Sequence, residues 1–292
     1  MGLGETLAIL SALAWSAGVI IYKRLGETIA PTRLNLMKNL IVLGFLLPSL
    51  ILSSGALPQL SHADLALTLL SGAIGIAVAD SLYLTALNRL GAARMGIIGN
   101  FYSPFVILLS LLFLGERLTP LQILGFVLVT SGVLVVGAAA ATAPTQRREL
   151  RLGLFYGISA IALMALAIVL VKPVLENQPL IWMVALRLLG GVSGLLLLFA
   201  LRRETPWLPE AGRVDLRWPL VVLGAFIGQY LSTLLWIGGY KYTSASVAAI
   251  LNETASIFIV ILAAAFLGEA LTRRKLFGVA LTLSGVVCML AA

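Results

Sequence analysis

The chain has 292 residues, 60% of them hydrophobic and 11% charged, with a mean hydropathy of +1.06; soluble domains carry about 25% charged residues, so this composition belongs in lipid. Twenty Lys and Arg against twelve Asp and Glu give +8, a balance that would suggest nucleic acid on a soluble protein but first reports orientation on a membrane protein. One cysteine, Cys288, and one histidine, His62, exclude a disulfide framework and a Cys/His zinc cluster, and no cofactor is expected.

A bilayer core about 30 Å thick takes roughly 20 apolar residues per helix. Ten such runs follow in chain order: Leu3 to Tyr22, Leu34 to Leu52, Ala63 to Leu87, Ala93 to Leu114, Leu121 to Ala140, Leu152 to Val171, Leu180 to Leu201, Trp218 to Gly238, Ser246 to Leu267, and Lys275 to Ala291. Stretches such as LQILGFVLVTSGVLVVGAAAA do not alternate as barrel strands would. The first run lacks a basic start and is followed by another span, so it reads as helix one and not as a cleaved signal. Connections are short, and ATAPTQRREL at mid-chain is the natural hinge between halves.

Lys and Arg concentrate in alternate connections. The odd ones hold Lys23, Arg24 and Arg33; Arg89 and Arg94; Arg147, Arg148 and Arg151; Arg202, Arg203, Arg213 and Arg217; Arg273, Arg274 and Lys275. That is fifteen, against Arg117, Lys172 and Lys241 in the even ones. Such an excess marks the cytoplasmic side, which puts both termini outside. Lys38 and Arg187 complete the twenty; each lies a turn or two inside a helix, where snorkelling to the near interface is expected. The charge is then mostly topogenic, and nucleic acid drops out as a partner.

The sequence repeats. FLGERLTPLQILGFVLVTSGVLVV and FLGEALTRRKLFGVALTLSGVVCM match at an offset of 153, while Leu3-Gly4 with Leu152-Gly153, Lys23 with Lys172, and Lys38 with Arg187 match at 149. A four-residue insertion between the second and third helices of the second half accounts for the change. Five helices per half is an odd number, so the halves enter the membrane in opposite senses. The charges agree: the connection after helix two has no Lys or Arg, and its counterpart after helix seven has four. The fold class expected is all-α integral membrane, ten transmembrane helices in two inverted five-helix repeats. The repeats are residues 1–141 and 152–292, joined by a cytoplasmic linker over 142–151. Such repeats predict a site near the midplane and alternating access.

The turns Leu114-Gly115-Glu116 and Leu267-Gly268-Glu269, each followed by Leu-Thr and a glycine-containing final helix, resemble the EamA repeat of the drug/metabolite transporter superfamily over essentially the whole chain. Among its branches the length and ten helices look most like bacterial amino-acid exporters of the YddG type. The resemblance implies a secondary transporter, not an enzyme, exporting aromatic and other neutral amino acids through a cavity lined by the first, third and fourth helices of each half. Other superfamily substrates (sugar derivatives, nucleotide sugars, drugs) and a channel-like facilitator stay open. Small-multidrug-type members place a glutamate in the first helix; helices one and six here hold no acid at that depth, which argues against proton-coupled export of lipophilic cations.

Polar residues deep in a span usually face the bundle interior, and they give the candidate site. Helix one carries Ser11, Trp15, Gly18 and Tyr22 on one face, with Trp15 and Ser16 near mid-membrane and Met164 as the counterpart of Trp15. Helix three aims Ile76, Asp80 and Tyr83 as helix eight aims Gln229, Thr233 and Trp236, at i, i+4 and i+7. Asn100 and Ser103 correspond to Glu253 and Ser256, with Asn252 beside them. The aromatic residues and Met164 offer apolar surface, and aromatic faces also attract an ammonium group. Asn100, Gln229, Asn252 and the hydroxyls supply orienting hydrogen bonds. Asp80 or Glu253, the only acids at that depth, would pair with an α-amino group or take up a proton. The alternative for all of them is hydrogen bonding between helices.

Glu116 and Glu269 lie on opposite membrane faces and read as loop anchors; Thr119-Pro120-Leu121-Gln122 reads as a capping box. Helices five and ten, almost without polar groups, suit peripheral packing or a dimer face. Gly191-Val192-Ser193-Gly194 fits an intramembrane serine-protease pattern, yet its serine lacks a nearby base. The expected partners are a small-molecule substrate and membrane lipid, with the protein a monomer or weak homodimer.

Overall fold

The computed structural model describes residues 2–52, 58–90, 95, 98–140, 147–205, 217–267 and 272–291. Among them every regular element is helical. In chain order these are α1 (Leu3–Leu25), α2 (Pro31–Leu52), α3 (His62–Leu90), α4 (Tyr102–Phe113), α5 (Pro120–Ala140), α6 (Arg147–Asn177), α7 (Leu180–Arg202), α8 (Trp218–Tyr242), α9 (Ala245–Asn252 continuing as Ala255–Leu267) and α10 (Arg273–Leu290). Six, α1 to α3 and α6 to α8, are each long and apolar enough to cross a membrane, and the described parts of the others hold shorter apolar stretches. The chain is an all-helical membrane protein of ten helices in two inverted five-helix repeats. Arg94, Arg213 and Glu269 lie outside the described residues, as does part of the linker expected over 142–151.

Local chemistry sets the helix ends. The Ser61 hydroxyl accepts from the Asp64 amide at 3.1 Å and starts α3. Thr119 and Gln122 cap each other reciprocally, by bonds of 3.2 and 2.9 Å, and start α5 as the capping box predicts. Arg203, at φ 54°, ends α7 in the left-handed region. α6 begins at Arg147, not Leu152, and runs on to Asn177, which brings Lys172 inside the helix. There Lys172 Nζ donates to Glu176 and to the Tyr240 and Thr243 carbonyls. Lys241 likewise donates to the carbonyls of Leu175, Glu176 and Gln178. These two cations of the even-numbered connections hold helix C-termini, where positive charge suits the helix dipole.

The packing follows a pseudo-two-fold rule: exchanging each helix for the one five places on maps the main contacts onto one another. α1 packs on α8 and α9, as α6 packs on α3 and α4; α2 meets α7 and α8, as α7 meets α2 and α3; α4 meets α9, and α5 meets α10. The α1–α8 crossing is backbone on backbone, since a Cβ on Gly18 would overlap the Cα of Gly228. Connections sort to two ends. At one, Asn88 donates to the Gly26 carbonyl, Arg33 reaches the Thr205 carbonyl and Arg89 pairs with Glu149 at 2.6 Å. At the other, Gln178 donates to the Gln59 carbonyl, Thr243 to Glu5, and the amides of Ala245 and Ser246 to Glu116. Glu116 is thus an N-terminal anchor for α9, reaching from the first repeat into the second.

Candidate functional site

Two pairs of backbone irregularities, related by the repeat, shape the centre of the bundle. α3 and α8 each contain a π-helical turn, Ala73–Ala79 and Ala225–Leu231. α9 breaks at Glu253 and Thr254, whose amides bond tightly back to Ile250 and Leu251 at 3.1 and 3.2 Å; before α4 the Phe101 amide bonds to Ile98 at 3.0 Å. Asn100 and Glu253 are repeat equivalents, so both helices break at the same place. Irregular backbone at membrane depth is tolerated only where protein buries it or a cavity receives it. Neither π turn carries a Pro; the break before α4 is followed by Pro104, which has no N–H for the Asn100 carbonyl, whereas the equivalent break at Glu253 has Ile257 at that place, and the sequence reading missed all of them.

A cavity of about 220 Å³, open at its mouth, lies between these irregular segments. α1 to α4 and α6 to α9 line it, and no described residue of α5 or α10 does. Of the candidate residues it brings together Trp15, Asp80, Tyr83, Asn100, Met164, Gln229, Thr233, Trp236, Asn252, Glu253 and Ser256. Ser16 and Ser103 are absent from the lining. The Ser16 hydroxyl donates to the carbonyls of Ala12 (2.6 Å) and Ala255 (2.9 Å), sealing α1 against α9. Ser103 is fully buried behind Glu253. The helix-one face also divides: Ser11 lines the cavity, Gly18 makes the α8 crossing, and the Tyr22 hydroxyl donates to the Gly224 carbonyl at 2.7 Å.

The aromatic surface has two parts. Trp15 meets Tyr83 edge-on at 5.8 Å, and Trp236 meets Tyr240 at 5.1 Å, the Tyr240 hydroxyl sharing a 2.7 Å hydrogen bond with Tyr102. Beside Trp15, the Ser11 hydroxyl donates to Asn252 Oδ1 at 3.3 Å, and Asn252 Nδ2 donates to the Ala248 carbonyl at the break. Glu253 Oε2 accepts a long bond, 3.4 Å, from Thr130, and Ser103 lies against the same carboxylate. Its Oε1 and the Asn100 side-chain nitrogen are buried without a hydrogen-bond partner among the described residues.

The two cations assigned to snorkelling require correction. Lys38 is 1% exposed; its Nζ turns inward to Asp80 Oδ2 and Gln229 Oε1, each at 2.8 Å, over the Tyr22 ring. Arg187, 4% exposed, lines the cavity with its guanidinium over the Trp236 ring at 5.6 Å. Inside protein an ion pair with further hydrogen bonds offsets the desolvation that hydrocarbon would impose, so inward is the favourable direction once an acceptor waits there. The signal for this was in the repeat: Arg187 matches Lys38 in register but sits toward the opposite membrane face, so a topogenic role cannot explain both.

Among the described residues no three His, Cys, Asp or Glu side chains group as a metal site requires. No curated protein matches the sequence significantly. One solved crystal structure, described simply as that of a protein, aligns with a TM-score of 0.79 over 98% of this chain and 95% of its own at 17% identity, a likeness of fold. The pattern of the EamA-like transporter family matches residues 2–138 and again 151–291, one copy in each half. With both repeats matched, the chain belongs to the EamA-like transporter family of the drug/metabolite superfamily, as a multi-pass membrane protein.

Proposed function

We propose that the protein exports small amphipathic metabolites, aromatic and other neutral amino acids foremost, across the bacterial inner membrane by alternating access through the central cavity. The observation that carries the reading is the cavity's position, between helices broken at repeat-equivalent residues, with aromatic and polar groups on facing walls. Broken helices meeting at a repeat interface are the usual setting of a transporter site. Trp15, Tyr83, Met164 and Trp236 would receive varied side chains, while Asn100, Asn252 and Ser256 orient the polar end. Glu253, with one oxygen unpartnered, suits the α-amino group better than Asp80, which already holds Lys38. Residues 1–141 and 152–292 act as the two inverted units, with the odd-numbered connections in the cytoplasm and both termini outside.

The test is uptake into proteoliposomes of labelled phenylalanine, methionine and threonine. Saturable flux of at least one supports the proposal. Absence of flux for all three rejects these substrates in favour of another class, and a single-channel conductance would replace transport by a pore.

A further inference from the structure

We infer that Arg187 is the anchor for a substrate carboxylate, so that this cavity selects molecules bearing a carboxylate beside an apolar group. The inference rests on the transport reading above and comes from comparing Arg187 with its repeat equivalent. Lys38 has two acceptors, Asp80 in its own half and Gln229 in the other. The pseudo-two-fold mates of those acceptors are Thr233 and Ile76, so Arg187 has lost both the acid and the amide at the mirrored positions. Its hydrogen bonds among the described residues leave from Nη1 alone, to the Ser71 hydroxyl at 2.6 Å and the Ala167 carbonyl at 3.5 Å, both uncharged acceptors. No carboxylate of the described residues lies within ion-pair distance.

A guanidinium cannot shed its charge, and a buried charge without a counter-ion in contact is costly; Asp80 acts on Arg187 only from beyond ion-pair distance and already holds Lys38. The charge here borders a cavity, where an incoming anion can supply what the protein omits. The planar fork fits a carboxylate with two parallel bonds, and Arg187 lines the cavity beside Gly75 with Nη2 making none of its hydrogen bonds to described residues. Trp236, with its ring centroid 5.6 Å from the guanidinium, offers apolar surface to the rest of the substrate. Amines without an acid group gain nothing from this arrangement.

The experiment compares L-phenylalanine with L-phenylalaninamide, which keeps the amine and ring but has no carboxylate, in proteoliposomes of wild type, Arg187→Gln and Arg187→Lys. R187Q is expected to raise the phenylalanine KM on the order of 10- to 100-fold and to change the phenylalaninamide KM far less, with R187K between. Equal losses for both compounds, or an unchanged phenylalanine KM, would overturn the inference. Should R187Q not fold, Thr233→Asp restores the mirrored acid as an internal counter-ion; it is expected to raise the phenylalanine KM, and an unchanged KM again counts against the anchor. Failure of the transport reading looks different, as no flux of phenylalanine in wild type. The melting temperature of purified wild type with 3-phenylpropionate then decides: an increase absent in R187Q supports the anion site, and no increase rejects it.

Discussion

Position 80 carries a carboxylate in the first repeat, and its equivalent in the second, position 233, carries a hydroxyl. On one side Lys38 is held by Asp80 and Gln229; on the other Arg187 rests on Ser71 and a backbone carbonyl. The backbone shows no such divergence, with π turns and helix breaks at matching places in both halves. Symmetry here belongs to the scaffold, which fixes where the cavity opens. Chemistry is free to differ between its walls, and an asymmetric small molecule needs walls that differ.

The largest expected effect tests the ion pair. Lys38→Met strands Asp80, whose side chain is only 13% exposed, and should cost about 3–5 kcal/mol, whereas removing both partners costs less. Arg187→Met leaves no acid without its partner and should fall well below K38M. Thermal melts of purified K38M, K38M/D80L and R187M check the ranking; equal losses for K38M and the double variant would show that the pairing contributes nothing.

A middle-sized effect separates the two equivalent crossings. At α1–α8, Gly18→Ala pushes a methyl into the Gly228 backbone and should cost about 1–3 kcal/mol. At the equivalent α3–α6 crossing, where Ala167 replaces Gly18, a Cβ on Gly75 would meet the Ala167 Cβ at 3.2 Å, so Gly75→Ala should be milder. A melt in which G75A is the more damaging would refute the stated geometry. Smallest is Glu116→Gln. The carboxylate accepts from the Ala245 amide (2.8 Å), the Ser246 amide (3.0 Å) and the Ser246 hydroxyl (2.8 Å). Losing its charge should weaken the start of α9 by about 1 kcal/mol, read as faster hydrogen exchange at residues 245 and 246.

What the sequence displayed and what it concealed have separate physical causes. Spans, repeat and inversion were legible because hydrophobic length and loop charge answer to the bilayer, which acts on every residue alike. The faces Ile76, Asp80, Tyr83 and Gln229, Thr233, Trp236 were legible because helical periodicity survives even through the π turns, and all six residues line the cavity. Ser16 and Ser103 show the limit of that method: each lies deep in a span near the cavity, yet a hydroxyl is small enough to be buried between helices. Lys38 and Arg187 were misread because snorkelling considers one helix and the nearest interface. Their true environment comes from α3, α6 and α8, which no single-helix pattern can supply. The break at Glu253 is hidden for a related reason, since neighbouring helices and not a Pro sustain it; the equivalent break at Asn100 had a sequence signal in Pro104, four residues on.

The central claim is that substrate occupies this cavity and reaches it from both sides in turn. Ser256→Cys in a Cys288→Ser background places a single thiol on the cavity wall. The account predicts that a membrane-impermeant thiol reagent labels it from either face of oriented vesicles, and that phenylalanine slows labelling from both. Labelling from one face alone, or labelling that phenylalanine leaves untouched, would contradict it.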